Sequence, residues 1–509
     1  MDYCNVQNRA TNTSISVVDK KLRALQYIED ITRKADEVQK QVLHEILSRS
    51  AHVDTDRETF KRVMPGVTYE DLQPDIIRIA NGDTSPILCS LPISQFLTSS
   101  GTSGGERKLM PMIEEEFERR SLFYSLQMTI MDQYVPDLNK GKGMYFMFVK
   151  SEAKTPGGLV SHPALTSYYK SSHFKEGTFD PFNNYTSPNQ TILCTDSYQS
   201  MYSQSQLLCG LYQNSQVLRV GAVFASAFLR AIRFLQKHWT DLCTDTNASV
   251  SSVDLCTDIR TGIINSKISD SSVKETVIKL LKPNPGLADF IESECSRDSW
   301  EGIITRLWPN AKYVDVIITG TMSQYISSLD FYSNGLPIVS TLHASSECYF
   351  GLNLEPLTMP SEVSYTLIPT MNKNLRNRRL CLRSILRLFA HFQFLYIFQL
   401  IHLIFQFIVA RFQHWELLHD GKTSIPTSVF KDCCLMLERM RNNVYRQGHV
   451  SDKSIGPLEI KLVETETFDK LMDYSINRGA QIDQYKTPRC VKFAPLIELL
   501  NSRVLSKYF

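Results

Sequence analysis

The sequence carries almost no excess charge of either sign. Its 509 residues include 55 lysines and arginines and 53 aspartates and glutamates, which leaves a formal net charge of +2 at pH 7. So small a net charge creates little long-range field, which argues against a general attraction to nucleic acid. We expect no nucleic-acid partner, and any anion that binds must be held by local geometry.

Paired cysteines and a targeting pattern are also missing. The 12 cysteines show no CxxC pair and no repeated spacing, and the N-terminal residues show no basic region followed by an apolar run. These absences favour reduced thiols in a cytoplasmic protein. Cys433 and Cys434 adjoin each other within a helical pattern, which predicts two small buried residues rather than a redox pair.

A long hydrophobic run occurs in one atypical segment, 372–413. It begins with five arginines and then continues from 388 to 410 without Asp, Glu, Lys or Arg. The length and the positive flank fit a transmembrane helix. Two histidines and three glutamines dilute the run, however, and both flanking sequences are typical of soluble enzymes. We expect no membrane contact and keep a membrane-anchored form as an alternative.

The pattern before this segment predicts an α/β domain over residues 1–371. Apolar residues recur at steps of three and four over 21–48, as in an amphipathic helix. Apolar, β-branched or aromatic runs at 143–149 and 313–320 predict strands, and the stretch 227–239 between them predicts a helix. Strands that alternate with helices are typical of α/β domains with helices packed on a sheet.

The pattern after the segment predicts a small α+β domain over 414–509. A helical stretch is followed by a strand at 458–463 and by a second helix that ends before Gly479. A chain of 509 residues also exceeds the usual size of one hydrophobic core, so two domains are expected on length alone.

The first stretch with a chemical signature is TSSGTSGGERK, residues 98–108. Its three glycines and several hydroxyl residues predict a loop whose backbone N–H groups and hydroxyls can surround phosphate oxygens. The stretch does not have the spacing of the GxxxxGK[ST] phosphate loop. Taken alone, such a stretch is more often an ordinary loop.

The second stretch is HASSECYFG, residues 343–351, which follows an apolar run. A carboxylate beside two hydroxyls just beyond a strand suits Mg²⁺ that also binds the phosphates of a nucleotide. Together, and in this order, the two stretches resemble the paired motifs of the adenylate-forming superfamily.

Longer matches identify a narrower resemblance. The chain is similar to the auxin-responsive plant acyl-acid amido synthetases, the Gretchen Hagen family, from about residue 20 to 371 and again from Trp415 to the end. ASSECYFGLNL resembles the members that act on indole-3-acetic acid. The stretches that carry the resemblance are SSGTSGGERK, VKSEAKTPGGL, LTSYYKS, YTSPNQTILC, GAVFASAFLRAIRFLQ, ASSECYFGLNLEP, VSYTLIPTM, SIGPLEIKLV and QYKTPRCVKF.

The resemblance implies two reaction steps. ATP, with Mg²⁺, activates the acid as an acyl-adenylate, and an amino acid then displaces AMP to form an amide. Carried onto this sequence, Glu347 would approach Mg²⁺ and act in catalysis, and Lys486 would reach the phosphates from the small domain. The implied phosphate contacts are Ser99, Ser100 and Thr102, and the adenosine contacts are Ala344, Ser345 and Ser346.

The resemblance also implies an apolar pocket for the acid with one cation for its carboxylate. Arg120 would be that cation, and Ala164, Leu165 and Tyr169 would form walls. Arg107 and Lys150 would contact the carboxylate of the incoming amino acid. The sequence does not fix which acid or amino acid is accepted, nor the oligomeric state.

The chain departs from the family pattern after residue 371. Family members continue with a phenylalanine-rich strand, a tyrosine-rich strand that ends in glycine and aspartate, and a hinge, and this sequence has segment 372–413 instead. We interpret the segment as retained non-coding sequence or a gene-model error and expect little or no conjugating activity. An active ligase, an inactive homologue that binds the acid or dimerises, and the anchored form remain the alternatives. His343 also stands where the family usually has tyrosine.

Overall fold

The structure is a computed structural model, and it describes most of the chain outside the atypical segment. The described residues are 17–50, 68–99, 108–176, 184–195, 206–239, 255–262, 270–346, 348–371, 412–416, 427–440, 459–478, 480, 485, 487, 491 and 493–508. Those between 17 and 371 form one compact unit, and those between 412 and 508 form another. We call them the large unit and the small unit.

The large unit contains helices and strands that alternate along the chain, which confirms the predicted α/β class. Its helices are α1 (Val17–Arg33), α2 (Ala35–Ser50), α3 (Tyr69–Ala80), α4 (Glu116–Tyr134), α5 (Ala164–Lys170), α6 (Ser172–Lys175), α7 (Asn189–Ile192), α8 (Gln206–Tyr212), α9 (Ala225–His238), α10 (Leu255–Thr261), α11 (Ser271–Leu280), α12 (Pro285–Cys295), α13 (Ile303–Leu307) and α14 (Ile326–Ser333). Its strands are β1 (Gln95–Thr98), β2 (Leu109–Met112), β3 (Lys142–Phe146), β4 (Ala153–Lys154), β5 (Val160–Pro163), β6 (Val217–Phe224), β7 (Tyr313–Ile317), β8 (Ile338–Val339), β9 (Leu342–Ala344), β10 (Tyr349–Leu352) and β11 (Thr366–Leu367).

A parallel sheet of order β3-β6-β7-β8 lies in the core of the large unit. Val220 of β6 and Val314 of β7 are fully buried and pair in register. Gly221 follows Val220 and pairs with Asp315, and a Cβ added at Gly221 would lie 2.0 Å from the Asp315 carbonyl oxygen. The two central strands therefore approach closely only because this position has no side chain.

Two smaller sheets carry the ends of the sequence motifs. The sheet β2-β1-β5-β4 places the start of the glycine- and serine-rich stretch at the end of β1, where Thr98 pairs with Pro163 of β5. The antiparallel sheet β11-β10-β9 places the second motif between β9 and β10. Both motifs thus connect strands, as expected for binding loops held by a rigid scaffold.

Helix α4 is covered on its outer side by the N-terminal helix. Ala24, Ile28 and Ile31 of α1 pack with a buried group on α4 that consists of Phe123, Leu126 and Ile130. Each large apolar side chain buried in this way contributes about 1.5–3 kcal/mol. Lys21 adds an ion pair with Asp132 at 2.9 Å. The position of α4 is therefore fixed from this side.

The small unit combines a three-stranded sheet with helices, as the α+β prediction states. Its sheet has the order β12 (Phe412–Glu416), β13 (Glu459–Val463) and β14 (Val504–Tyr508). Its helices are α15 (Thr427–Met440), α16 (Thr467–Asn477) and α17 (Ala494–Ser502). The ring of Phe430 stacks on that of Tyr508 at 4.4 Å, and Cys434 is buried beside them, whereas Cys433 is half-buried.

Two boundaries differ from the sequence prediction. The helix predicted over 21–48 is broken at Lys34 into α1 and α2, a one-residue break that an apolar pattern does not register. The strand predicted over 143–149 ends at Phe146, because the side-chain amide of Gln206 takes the place of a neighbouring strand. Its Nε2 donates to the Met147 carbonyl at 2.6 Å, and its Oε1 accepts from the Met147 N–H at 2.9 Å.

The run at 388–410, on which the membrane alternative depends, lies outside the described residues. Within the ranges given above, no helix has the length and apolar character needed to cross a membrane.

We predict that Gly221→Ala destabilises the large unit by about 3 kcal/mol or more, because the new methyl group meets a backbone atom that cannot turn away. Gly286→Ala is the matched control, since a Cβ at Gly286 in α12 meets nothing within 4 Å. Melting temperatures measured by tryptophan fluorescence compare the two variants. Equal melting temperatures for both would contradict the proposed close approach of β6 and β7.

Candidate active site

The base of the first motif is closed by a reciprocal pair of hydrogen bonds. The Ser99 N–H donates to the Lys108 carbonyl at 3.1 Å, and the Lys108 N–H donates to Ser99 Oγ at 3.0 Å. The next N–H, of Leu109, donates to the Tyr69 hydroxyl at 2.9 Å, and the Lys108 ammonium lies 4.7 Å from the centre of the Tyr69 ring. Helix α3 therefore holds the end of this loop in place.

The N-terminus of helix α3 is stabilised by side-chain capping. Thr68 and Asp71 form a capping box, in which each side chain accepts from the backbone N–H of the other residue. Three predicted site residues, Ser100, Thr102 and Arg107, lie outside the described residues, and their roles stay predictions.

The second motif begins as a tight turn between β9 and β10. The Ser345 N–H donates to the Cys348 carbonyl at 2.8 Å, and Ser345 Oγ accepts from the Cys348 N–H at 3.3 Å. Ala344, Ser345 and Ser346 are half-buried on this turn. Glu347, the predicted magnesium ligand, lies outside the described residues.

His343 is part of an aromatic stack. Its ring lies 5.4 Å from that of Phe350 and 5.4 Å from that of Tyr365, with interplanar angles of 35° and 30°. The Tyr365 hydroxyl is in turn 2.8 Å from Ser340 Oγ. An imidazole at this position thus keeps a stacking role of the kind that the family's tyrosine would fill.

An aromatic cluster includes residues of β1 and β2, the strands that flank the first motif. We call it the aromatic pocket; its buried residues include Ala164, Leu165 and Tyr169, the predicted walls, and Tyr145 and Tyr185 pack against it while half-buried. The other buried members are Leu97, Met112, Phe117, Met147, Val149, Tyr168, Phe174 and Ile192. The structure therefore brings the three predicted walls together in one apolar environment.

Arg120 lies on α4, the helix that contributes Phe117 to this pocket, and has a buried guanidinium with two donors unpaired among the described residues. Its side chain is 2% exposed, and its Nε and Nη1 make no hydrogen bond with any residue that the structure describes. Glu116 lies 3.6 Å from Nε, and the guanidinium carbon lies 5.2 Å from the centre of the Tyr349 ring. Buried donors without acceptors are costly, so this guanidinium is suited to receive a carboxylate from outside the chain.

A pair of tyrosines joins the pocket to the second motif. The Tyr124 and Tyr349 hydroxyls are 2.9 Å apart, and the Tyr124 ring lies 4.8 Å from that of Tyr168. Burial raises the pKa of Tyr124 well above its usual value, so this hydroxyl stays neutral. Because Tyr349 pairs with Ala344, a continuous set of contacts leads from the pocket to the turn of the second motif.

A buried polar chain supports the same region from the parallel sheet. Gln127 of α4 donates through Nε2 to Thr341 Oγ1 at 2.8 Å, and Thr341 Oγ1 donates to Asp315 Oδ1 at 3.4 Å. Burial raises the pKa of Asp315 to about 6, although Arg219 on the neighbouring strand opposes the shift. Thr341 directly precedes β9, so this chain of hydrogen bonds connects the parallel sheet to the second motif.

The contacts described for the remaining predicted site residues do not connect them to the aromatic pocket or to the second motif. The Lys150 N–H donates to Thr166 Oγ1 at 3.1 Å, and its side chain is half-buried near the start of β4. Lys486 lies outside the described residues, between the buried residues Tyr485 and Thr487 of the small unit. Among the residues that the structure covers, no group of three or more His, Cys, Asp or Glu side chains is arranged to hold a metal ion.

Sequence reasoning missed Tyr124, Tyr349 and Gln127. Tyr124 and Gln127 lie four and seven residues after Arg120, a spacing that places all three on one face of a helix. Tyr349 lies two residues after Glu347. The spacing from Arg120 was the signal that could have identified Tyr124 and Gln127.

The fold as a whole is that of an acyl acid amido synthetase. A solved structure described as "AtGH3.15 acyl acid amido synthetase in complex with 2,4-DB" matches with a TM-score of 0.79 and 34% identity, over 98% of each chain. The descriptions "GH3 family N-terminal domain" and "GH3 family C-terminal domain" match residues 24–338 and 410–495. The chain belongs to the GH3 family.

Curated plant relatives are similar over nearly the full chain. The indole-3-acetic acid-amido synthetase GH3.6 of Arabidopsis thaliana is 54% identical over 97% of this chain and 95% of its own length. The probable indole-3-acetic acid-amido synthetase GH3.1 of Oryza sativa subsp. japonica is 48% identical over 96% and 92%. The first alignment spans 595 residues against the 509 of this chain, so the relative has residues that this chain lacks.

We predict a pH dependence of stability that Asp315 generates. Its folded-state pKa of about 6 exceeds the ordinary value of 3.8, so the folded protein binds the proton more tightly than the unfolded chain. The stabilisation is complete below pH 4 and is lost as the pH rises through 6, by roughly 3 kcal/mol in total.

Asp315→Asn removes this titration while other groups titrate alike in both proteins. The melting temperature of the variant minus that of the wild type should therefore rise between pH 4.5 and pH 7.5. A difference that stays constant over this range would show that Asp315 titrates normally.

Proposed function

We propose that this chain is an ATP-dependent ligase that joins an amino acid to an acid of the auxin class, indole-3-acetic acid, through an acyl-adenylate. The observation that carries the proposal is the buried guanidinium of Arg120, whose Nε and Nη1 have no acceptor among the described residues. It lies on the helix whose Phe117 and Tyr124 pack in the aromatic pocket. One cation at the end of an apolar pocket fits an acid with a flat ring and one carboxylate. The names of the relatives support the same acid and the same bond.

In the first step, a carboxylate oxygen of the acid attacks the α-phosphorus of ATP and pyrophosphate leaves. Arg120 holds the carboxylate, and Ala164, Leu165 and Tyr169 hold the ring. Correct placement of the two reactants supplies much of the rate, because little covalent chemistry is left to the protein. The phosphate contacts are assigned to Ser99, Ser100 and Thr102, and the adenosine contacts to Ala344, Ser345 and Ser346.

Mg²⁺ bound at Glu347 would offset the charge of the phosphates during this step. The hydroxyls of Ser345 and Ser346 beside it are hard oxygen donors, the type that Mg²⁺ prefers. Lys486 would add a positive charge near the leaving pyrophosphate.

In the second step, the amine of an amino acid attacks the acyl carbon, and AMP leaves. Arg107 and Lys150 are assigned to the carboxylate of that amino acid. We further propose that residues 1–371 form the adenylating domain and that 414–509 form part of the small domain. A cytoplasmic location agrees with the described cysteines, none of which forms a disulfide with another described residue.

The resemblance implies that segment 372–413 replaces the family's hinge region, and the alignment with the Arabidopsis relative is long enough to include residues that this chain lacks. The missing aspartate would bind the ribose, and one such charge-assisted hydrogen bond contributes about 1.5–3 kcal/mol. The missing hinge would also impair the domain rotation between the two steps, a kind of motion that often limits turnover.

We predict that Arg120→Met lowers the affinity for indole-3-acetic acid by about a hundredfold, because two charge-assisted hydrogen bonds to the carboxylate are lost. The melting temperature should not fall, since the change also removes a buried charge that lacks full compensation. Isothermal titration calorimetry measures the binding. Arg119→Met is the matched control, because Arg119 is 37% exposed on the same helix and its loss should leave the affinity unchanged.

Undiminished binding by Arg120→Met would refute the proposed carboxylate contact. Loss of binding in both variants would instead indicate a general effect on α4.

We also predict that amide formation from indole-3-acetic acid, aspartate and ATP is at least about a hundredfold slower than in the Arabidopsis relative, because both the ribose contact and the hinge are missing. Acid-stimulated exchange of pyrophosphate into ATP should remain detectable, since it requires only the first step. Conjugate formation at the rate of the relative would contradict this prediction.

A further inference from the structure

Gln127 has a buried acceptor without a partner. Gln127 is 7% exposed, and its Oε1 accepts no hydrogen bond from the part of the chain that the structure describes. A buried amide oxygen is normally paired, because leaving it unpaired loses its hydration without compensation. This atom is therefore available to a donor that arrives with a ligand.

The orientation of the amide follows from its neighbours. Above its pKa of about 6, the Asp315 carboxylate only accepts, so Thr341 donates its hydroxyl hydrogen to it. The Thr341 oxygen then accepts, and the Gln127 atom at 2.8 Å from it must be the nitrogen. The hydrogen-bond chain thus assigns Oε1, rather than Nε2, as the atom without a partner.

Gln127 lies on the face of α4 that carries the acid-binding cation. Phe117, Arg120, Tyr124 and Gln127 follow at steps of three and four, and seven residues advance an α-helix by about 10 Å with a rotation of only about 20°. Phe117 is a buried member of the aromatic pocket, and Tyr124 packs against it. The neighbours Phe123 and Leu126 pack with α1, and the Phe123 ring also lies 5.2 Å from that of Tyr349.

We propose that Gln127 determines specificity by accepting a hydrogen bond from a ring N–H of the acid whose carboxylate Arg120 binds. The proposal rests on the proposed function and adds which ring acids the same site prefers. In indole-3-acetic acid, the ring N–H lies on the other side of the five-membered ring from the acetic acid substituent. A ring with an ether oxygen or only C–H groups at that place leaves Oε1 buried and unpaired, so the site disfavours it.

The test compares indole-3-acetate with benzofuran-3-acetate, which has the same shape and carboxylate but an oxygen in place of the N–H. Binding is measured by isothermal titration calorimetry on the full chain, so the result does not depend on turnover. We expect indole-3-acetate to bind the wild type roughly tenfold more tightly, the value of about one buried hydrogen bond. The wild-type ratio requires no variant to fold.

Three variants locate the cause of this ratio. Gln127→Leu should reduce the ratio to about one, chiefly by weakening indole binding. Thr341→Val frees the amide to rotate and should give an intermediate ratio. Gln41→Leu makes the same change at an exposed position of α2 and should leave the ratio as in the wild type.

The outcomes separate this inference from the proposed function. Equal affinities in the wild type, or a ratio that survives Gln127→Leu, overturn the inference while the proposed function stands. If neither acid binds the wild type, the proposed function fails and the inference fails with it.

Discussion

The buried positive charge of Arg120 is the constraint on which the candidate site depends. A guanidinium at 2% exposure has little contact with water, and the described groups beside it include Glu116 at 3.6 Å and the face of Tyr349 at 5.2 Å. Attraction to an aromatic face contributes about 2 kcal/mol when it is desolvated, less than the cost of burying a full charge. The remaining cost must be met by the packing of the helix that carries the arginine. Helix α4 has such packing: α1 covers its outer side through an apolar contact and the Lys21–Asp132 ion pair, and the aromatic pocket covers its inner side.

Tyr349 connects this constraint to the second motif. The residue lies on β10, two positions after Glu347, and its ring contacts Arg120 while its hydroxyl pairs with Tyr124. A shift of the turn at 345–348 would therefore move the ring on which the guanidinium rests. In the proposed reaction, a carboxylate oxygen must reach the α-phosphorus of a nucleotide, so the two anion sites need a fixed separation. The contact through one tyrosine is a short physical route that can maintain it.

The sequence predicted the fold class, because hydrophobic period is a local property, while the roles of the two motifs and of the three pocket walls stay predictions. It predicted less well what depends on distant partners. The end of β3 at Phe146 results from Gln206, some sixty residues later, whose amide pairs with Met147. The role of Gln127 likewise depends on Thr341 and Asp315, more than 180 residues away along the chain. No window of sequence contains these partners, whereas the helical spacing of Arg120, Tyr124 and Gln127 was visible and would have placed them on one face.

The departure from the family pattern after residue 371 bears differently on the two halves of the proposed reaction. The last described residues before it are tied into the large unit: Cys348 Sγ donates to the Met371 carbonyl at 3.0 Å, Tyr27 Oη lies 3.5 Å from Thr370 Oγ1, and Gln39 donates to the Pro369 carbonyl. The contacts described for Arg120, the aromatic pocket and the second turn all lie between residues 17 and 371. In the proposed reaction, acid binding therefore uses groups that this sequence keeps, while the ribose contact and the rotation of the small domain are assigned to the region that segment 372–413 replaces. Binding and turnover are thus expected to separate in this chain, because the groups that recognise the acid and those that complete the cycle belong to different parts of the sequence.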